Sequence, residues 1–358
     1  MYGTPHTSPQ RILLVRLSHL GDIVLALPVY HALRAAYPRA EVAWAVQPEF
    51  SDLVRGLPGV SKVFCFERRG GWRAWPKLRR DLEPFGADLA VDAQGNLKSA
   101  AALLCSGAPR RVGLHPRDWR ERFGSRVLTE WTPPGEVPGT HAARRMERLA
   151  RHFDPTGELR FDPELTDVER SRGAQLADEW LPAGETPLIV HLAAPRDVRS
   201  WPLDHYRGLL RRRASEGLPT LVLSGPAEVR EGVVLREELR AEPALVHWVA
   251  QRGLRDLASF FDAAARRGAQ LLGCDSGPVH VAAACGLRTL TLAGPQDAAR
   301  TGPWPHDPET LHRELRASVE PACAPCFERK CRHERGPVCM SEIRPEHVID
   351  NLQEASCV

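Results

Sequence analysis

The sequence predicts two α/β domains in one chain, each a mostly parallel sheet flanked by helices. Three observations carry that expectation. Short apolar runs alternate with helical stretches from Arg11 onward, the alternation lapses in an irregular segment at 154–166, and it starts again at Pro187. At 358 residues and 43% hydrophobic, the chain is longer than one core usually fills and too apolar to be mainly disordered. Third, its charge is unevenly divided: residues 1–160 hold 24 basic and 16 acidic side chains, residues 161–358 hold 24 and 29.

The elements follow in order. Residues 11–17 (RILLVRL) read as a buried parallel strand, 18–22 (SHLGD) as a tight turn, and 23–37 as a helix that stops before Pro38. Pro28 either kinks that helix or marks a late start. Strands are expected at 41–46, 60–66 and 88–92, each followed by a crossover helix, and a further helix at 141–152 after the Pro- and Gly-bearing stretch 132–139. In the second half the expected strands are 187–192, 220–224, 245–249, 270–273 and 289–293. The helices between them are 204–214, 228–240, 254–267 and 279–285, and a short closing helix spans 343–352. Folds of this kind bind ligands at the carboxyl ends of strands and at helix N-termini.

Bulk charge excludes some functions. A formal net charge of +3 is far from that of a dedicated nucleic-acid binder. No apolar run approaches the ~18 residues that span a bilayer, and the first ten residues lack a secretory signal's charged start and apolar core, so a cytoplasmic protein is expected.

Four turns carry candidate chemistry. In R16-L-S-H-L-G-D22, Asp22 either caps the following helix or acts as a general base on a hydroxyl. The run has neither a GxGxxG nor a P-loop spacing. In D92-A-Q-G-N-L-K98, Lys98 either holds an anionic ligand or is a surface charge, and Asp92 and Asn96 can serve as turn formers. In H191-L-A-A-P-R196-D-V-R199-S-W-P, Arg196 and Arg199 near a helix start make a diphosphate site, or else pair with Asp197 or Asp204. In G273-C-D275-S-G277-P-V-H280, Ser276, Gly277 and the next backbone N–H groups face an anion, and His280 donates to a phosphate or ribose or is a buried structural residue. There is no GxSxG elbow for a serine nucleophile. With no Asp-x-Asp pair anywhere, a nucleotide-sugar enzyme of this sequence would neutralise its leaving diphosphate with cationic side chains and helix ends.

Two further clusters stand apart. Cys323, Cys326, Cys331 and Cys339 have a C-x2-C-x4-C-x7-C spacing that suits a structural zinc or iron centre, the alternative being reduced thiols or a redox pair. The other five cysteines, Cys357 among them, are scattered. The run R68-R-G-G-W72-R-A-W75-P-K77-L-R79-R80 sets six basic side chains among two tryptophans, as a surface for anionic lipid does, or as a soluble loop with snorkelling side chains does.

Taken in order, RLSHLGDIVLALP, DAQGNLKSAA, Trp201-Pro202 and CDSGPVHVAAACG resemble the ADP-heptose:lipopolysaccharide heptosyltransferases. These are inverting glycosyltransferases of family nine, and the second segment is most similar to the heptosyltransferase I branch. The resemblance spans about 11–302 and implies a GT-B fold, two Rossmann-like α/β/α domains facing across a cleft. Residues 1–165 would bind the acceptor, 166–322 the donor, and 323–358 would hold the cysteine cluster and closing helix. The resemblance implies Asp22 as general base, with His19, Lys98 and His141 on the acceptor side. On the donor side it implies Arg196, Arg199, Glu228 near the ribose, and the loop Asp275, Ser276, Gly277 and His280. Arg199 stands where the family usually has a lysine, which keeps the charge and changes reach and fork geometry. Ala193, Ala194 and Pro195 replace threonines frequent in the branch.

The implied reaction moves L-glycero-D-manno-heptose from ADP-heptose to a Kdo-lipid A type lipopolysaccharide acceptor, with no catalytic metal. The implied place is the cytoplasm, peripheral to the inner membrane. The alternatives are transfer to a protein or another glycan, or a non-catalytic nucleotide-sugar-binding protein on the same scaffold.

Overall fold

β1 (Arg11–Val15) is buried at four of its five positions, as a strand covered on both faces must be. With β2 (Glu41–Val46), β3 (Val60–Cys65), β4 (Leu89–Asp92), β5 (Arg110–Gly113) and β6 (Glu130–Trp131) it forms a six-stranded sheet in the order β3-β2-β1-β4-β5-β6. β1 runs parallel to both neighbours, Leu14 pairing with Trp44 on one side and with Val91 on the other. A second parallel sheet repeats the arrangement with β7 (Leu188–His191), β8 (Thr220–Ser224), β9 (Val246–Ala250), β10 (Gln270–Cys274), β11 (Arg288–Leu292) and β12 (His312–Leu315), ordered β12-β11-β10-β7-β8-β9. Within each sheet the first strand lies between the second and the fourth, which is the Rossmann order. The chain divides into two compact units, Met1–Glu164 and Leu165–Val358. The structure is a computed structural model and describes residues 8–135, 140–181, 187–193, 197–240, 246–250, 253–305 and 311–354.

In both units the strand order reverses at one place, between β1 and β4 and between β7 and β10. The loops that leave these paired strands run to opposite sides of the sheet, so their carboxyl ends open a crevice. All four turns singled out in the sequence follow these strands.

The helical expectations change in detail. Residues 20–36 form two helices, Leu20–Leu25 and Leu27–Ala36, with Pro28 in the first turn of the second, so the proline marks a late start. β5, β6 and β12 were not expected from the sequence, and they are only four, two and four residues long. The closing helix is Pro345–Glu354, and Ile343, Val348 and Leu352 pack into the same core as Trp201, whose Nε1 donates to the Ile343 carbonyl at 2.7 Å. The C-terminal segment is therefore built into the second unit. There the helices Asp167–Trp180 and Leu254–Arg266 approach so closely that a Cβ on Gly173 would stand 2.1 Å from the Ser259 carbonyl oxygen.

Candidate active site

In the first unit the turn after β1 is locked to the turn after β4. Arg16, buried, donates through Nη1 to the Ala93 carbonyl at 2.5 Å, and the Leu17 amide donates to Gln94 Oε1 at 2.7 Å. His19 takes a left-handed φ of 65°, a conformation costly for a residue with a side chain, and sits just before the helix Leu20–Leu25. Asp22, in the first turn of that helix, pairs with Arg16, and His19 Nδ1 lies 3.4 Å from Asp22 Oδ2. Asp22 is about one third exposed, so it is open to a ligand. Burial alone would push its carboxyl up; the Arg16 guanidinium and His19 outweigh that and hold it well below the usual carboxylate range. His19 and Asp22 thus form one cluster with Arg16, which the sequence reading missed. The signal was there: Arg16 follows the apolar run 12–15 directly, and a guanidinium so placed needs a buried partner.

The β4 turn resolves into structural and free groups. Asp92 is buried and accepts from the Gln94 and Gly95 amides at 2.6 and 2.8 Å and from Ser99 Oγ at 2.7 Å, so it is a turn former. Asn96 caps the helix Leu97–Ser106 through a capping box. Lys98 in its first turn is exposed, and its ammonium has no hydrogen bond or ion pair among the described residues. His141 is buried as the N-cap of the helix Ala142–Phe153, its Nδ1 accepting from the Ala143 amide at 3.0 Å.

In the second unit the turn after β10 brings its expected residues together. Ser276 is the N-cap residue of the helix Gly277–Ala284, and its buried Oγ has no hydrogen-bond partner. His280 is buried one turn in, with Nε2 3.5 Å from Asp275 Oδ1 and Nδ1 buried without a partner. These are polar atoms held dry at a helix N-terminus, where an anion would find donors. Arg199 donates through Nη1 to the Asp275 carbonyl at 3.0 Å and grips Asp197 through Nε and Nη2 at 2.9 and 2.8 Å. It therefore ties the segment after β7 to the turn after β10, and its charge is already shared with Asp197. Glu228, buried at the end of the β8 turn, has its carboxyl pushed up by burial. Arg196, with Ala194 and Pro195, lies outside the described residues.

The cysteine cluster departs from expectation. Cys323, Cys326, Cys331 and Cys339 line one small pocket, but among the described residues no three His, Cys, Asp or Glu side chains are placed to hold a metal ion. The expected zinc or iron centre is not supported by this arrangement. Cys339 is buried in the short helix Val338–Ser341, its Sγ so near Gly294 that a Cβ there would stand 2.9 Å away, whereas Cys323 and Cys331 are exposed. Burial, then the neighbouring thiols, pushes the Cys339 thiol up to about 11.

Two parallel α/β units, with a carboxylate at the switch point of one and an anion-ready helix start at that of the other, are what a GT-B fold consists of. Residues 75–335 match the model of glycosyltransferase family 9 (heptosyltransferase), and the chain belongs to that family. It is 26% identical over 366 residues to lipopolysaccharide heptosyltransferase 1 of Pseudomonas aeruginosa, covering 96% of this chain and 97% of that one. It is also 26% identical to lipopolysaccharide heptosyltransferase 1 of Escherichia coli K12, over 82% of this chain and 90% of that one. Among solved structures, E. coli heptosyltransferase WaaC with ADP shares the fold at a TM-score of 0.72 and 22% identity, covering 96% of this chain and 99% of that chain.

Proposed function

We propose that the protein moves L-glycero-D-manno-heptose from ADP-heptose to a Kdo-lipid A type acceptor with inversion, the first unit holding the acceptor and the second the donor. The observation that carries this reading is Asp22: an accessible, ionised carboxylate at the carboxyl end of β1, in a chain whose relatives are named lipopolysaccharide heptosyltransferases. Asp22 takes the proton of the acceptor hydroxyl as that oxygen attacks the anomeric carbon. The bond from that carbon to the diphosphate breaks on the opposite face, and its electrons leave with ADP. The leaving charge is met by the amides at Gly277, by Ser276 and His280, and by Arg199. No step of this sequence calls for a metal.

A carboxylate held so far below its usual range is a weak base toward a free hydroxyl. Proton transfer therefore follows C–O bond formation, when the attacking oxygen has become acidic. Lys98 and the His19 side of the turn are assigned to the acceptor, and Glu228 to the donor ribose.

Peripheral attachment to an anionic membrane is part of the same reading. No helix among the described residues is long and apolar enough to cross a membrane. Trp72 is 75% exposed with Arg73 stacked on it at 5.5 Å, and Phe123 is 70% exposed with Arg126 at 4.7 Å. Aromatic and guanidinium groups paired in this way suit a headgroup layer.

The test is a donor panel. ADP-heptose, other ADP-sugars and GDP- or UDP-sugars are supplied with a purified lipid A-core acceptor, and the product is read by mass. A heptose increment from ADP-heptose alone is expected; turnover of a different donor, or of none, would overturn the assignment.

A further inference from the structure

In the second unit one buried hydroxyl joins the ends of β7 and β10. Tyr206 stands near the start of the helix Leu203–Ser215, its ring buried and edge-on to Trp201 with ring centroids 4.8 Å apart. Its Oη accepts from the Ala193 amide at 3.2 Å, and lies 3.4 Å from the His191 carbonyl oxygen and 3.6 Å from Cys274 Sγ. Ala193 belongs to the segment after β7, and Cys274 ends β10, directly before Asp275 and Ser276.

A phenolic hydroxyl has one proton to donate and two lone pairs that accept, and here all three are engaged. The proton goes to the His191 carbonyl, a better acceptor than a thiol, and the lone pairs take the Ala193 N–H and the Cys274 S–H. Packing against Trp201 alone would be served by a phenylalanine, with no polar atom to bury. Arg199, partly exposed, makes a second tie between the same two segments through the Asp275 carbonyl at 3.0 Å. Ala193 offers a ligand no side-chain donor, so what its segment contributes depends on where the backbone is held.

We propose that Tyr206 is a positioning residue of the diphosphate site: its buried hydroxyl holds the segment after β7 at a fixed distance from the Asp275–His280 turn, so that Arg199 and the helix start at Ser276 and Gly277 act on one diphosphate. This deepens the donor assignment made above and rests on it. Tyr206 touches no ligand itself; it acts through Ala193 on one side and Cys274 on the other. Donors fixed in advance need no rearrangement when the leaving charge develops, and a displacement of about 1 Å in such a set is costly to binding and rate alike. Without the hydroxyl the Ala193 amide loses its partner in a dry interior, and the segment shifts to find another.

The test measures binding to the full chain with three probes: ADP, inorganic pyrophosphate and adenosine. Tyr206→Phe, which keeps the ring and deletes the hydroxyl, is expected to weaken ADP and pyrophosphate by about 10-fold and to leave adenosine, which has no phosphate, within about twofold. Tyr30→Phe is the control, because it deletes a hydroxyl that donates to the Pro58 carbonyl in the first unit; it should leave all three affinities unchanged. Cys274→Ala removes only one of the three partners and should cost about threefold on the two diphosphate probes. If Tyr206→Phe does not fold, Cys274→Ala decides the matter on those probes. Wild-type affinity for ADP and pyrophosphate in the folded variant overturns the proposal, as does an equal loss on adenosine, which would mark a merely structural role. Binding of pyrophosphate but not ADP by wild type strikes the nucleotide reading and leaves the positioning role to the pyrophosphate result; binding of neither overturns both.

Discussion

Arg16 decides what Asp22 can do. Its guanidinium, fixed by the Ala93 carbonyl, keeps the Asp22 carboxyl ionised far into acid. Since the folded-state pKa lies below the unfolded value, the stability this pair contributes is present above the usual carboxylate range and is lost only as pH falls through the depressed value. The same sign applies to catalysis: Asp22 should impose no acid limb on kcat/KM at mildly acidic pH. Replacing Arg16 with Gln removes the main opposing charge and leaves burial in control, so the limb should appear and move upward by about one to three pH units. A pH–rate profile of the two proteins, with circular dichroism to confirm that Arg16→Gln is folded, reads this directly. An unmoved acid limb would show that another group sets it. At this scale the sequence was legible where a turn isolates one residue, as at Asp22, Lys98 and His280. It was opaque where packing selects among equals. Arg144, Arg145, Arg148 and Arg151 lie on one helix, and only tertiary contact tells that Arg148 is the one paired with Asp118.

Elements were legible in proportion to their apolar length. β1 and β2 are runs of five and six residues with burial on both faces, a pattern few other structures produce. β6 is two residues long, and β12 (HREL) carries three polar side chains, so neither leaves a periodic trace. The helix Asp167–Trp180 has no broad apolar stripe, because at Gly173 it presses backbone against the helix Leu254–Arg266. A methyl group there cannot be accommodated without moving one helix, since the nearest atoms belong to the Ser259 backbone. Gly173→Ala should therefore cost about 2–3 kcal/mol and lower Tm by roughly 5–10 °C, readable by calorimetry. A Tm within a degree of wild type would mean that the two helices are not in the close contact described.

For the whole molecule, the alternation of strands and helices was enough to give two parallel α/β units, and the shared strand order explains why the chemistry-bearing turns are where they are. Each follows a strand at or beside a switch point, the place where an open sheet presents side chains to a ligand. The cysteine spacing was legible as proximity only: the C-x2-C-x4-C-x7-C pattern brings four thiols to one pocket, and the fold adds that one is packed against Gly294 while two face solvent. Charge at this scale acquires a finer meaning as well. The excess of positive charge in residues 1–160 is not spread evenly, since many arginines are paired, while among the described residues the Lys98 ammonium has no ion pair.

The central claim is that Asp22 is the base of a heptosyl transfer. The measurement that reaches it most directly compares wild type with Asp22→Asn in single-turnover transfer from ADP-heptose, alongside the affinity of each for ADP. Loss of a general base should slow transfer by about 10²- to 10⁴-fold while ADP binding, assigned above to the second unit, stays within about twofold. Transfer by Asp22→Asn at the wild-type rate, with donor affinity intact, would contradict the account.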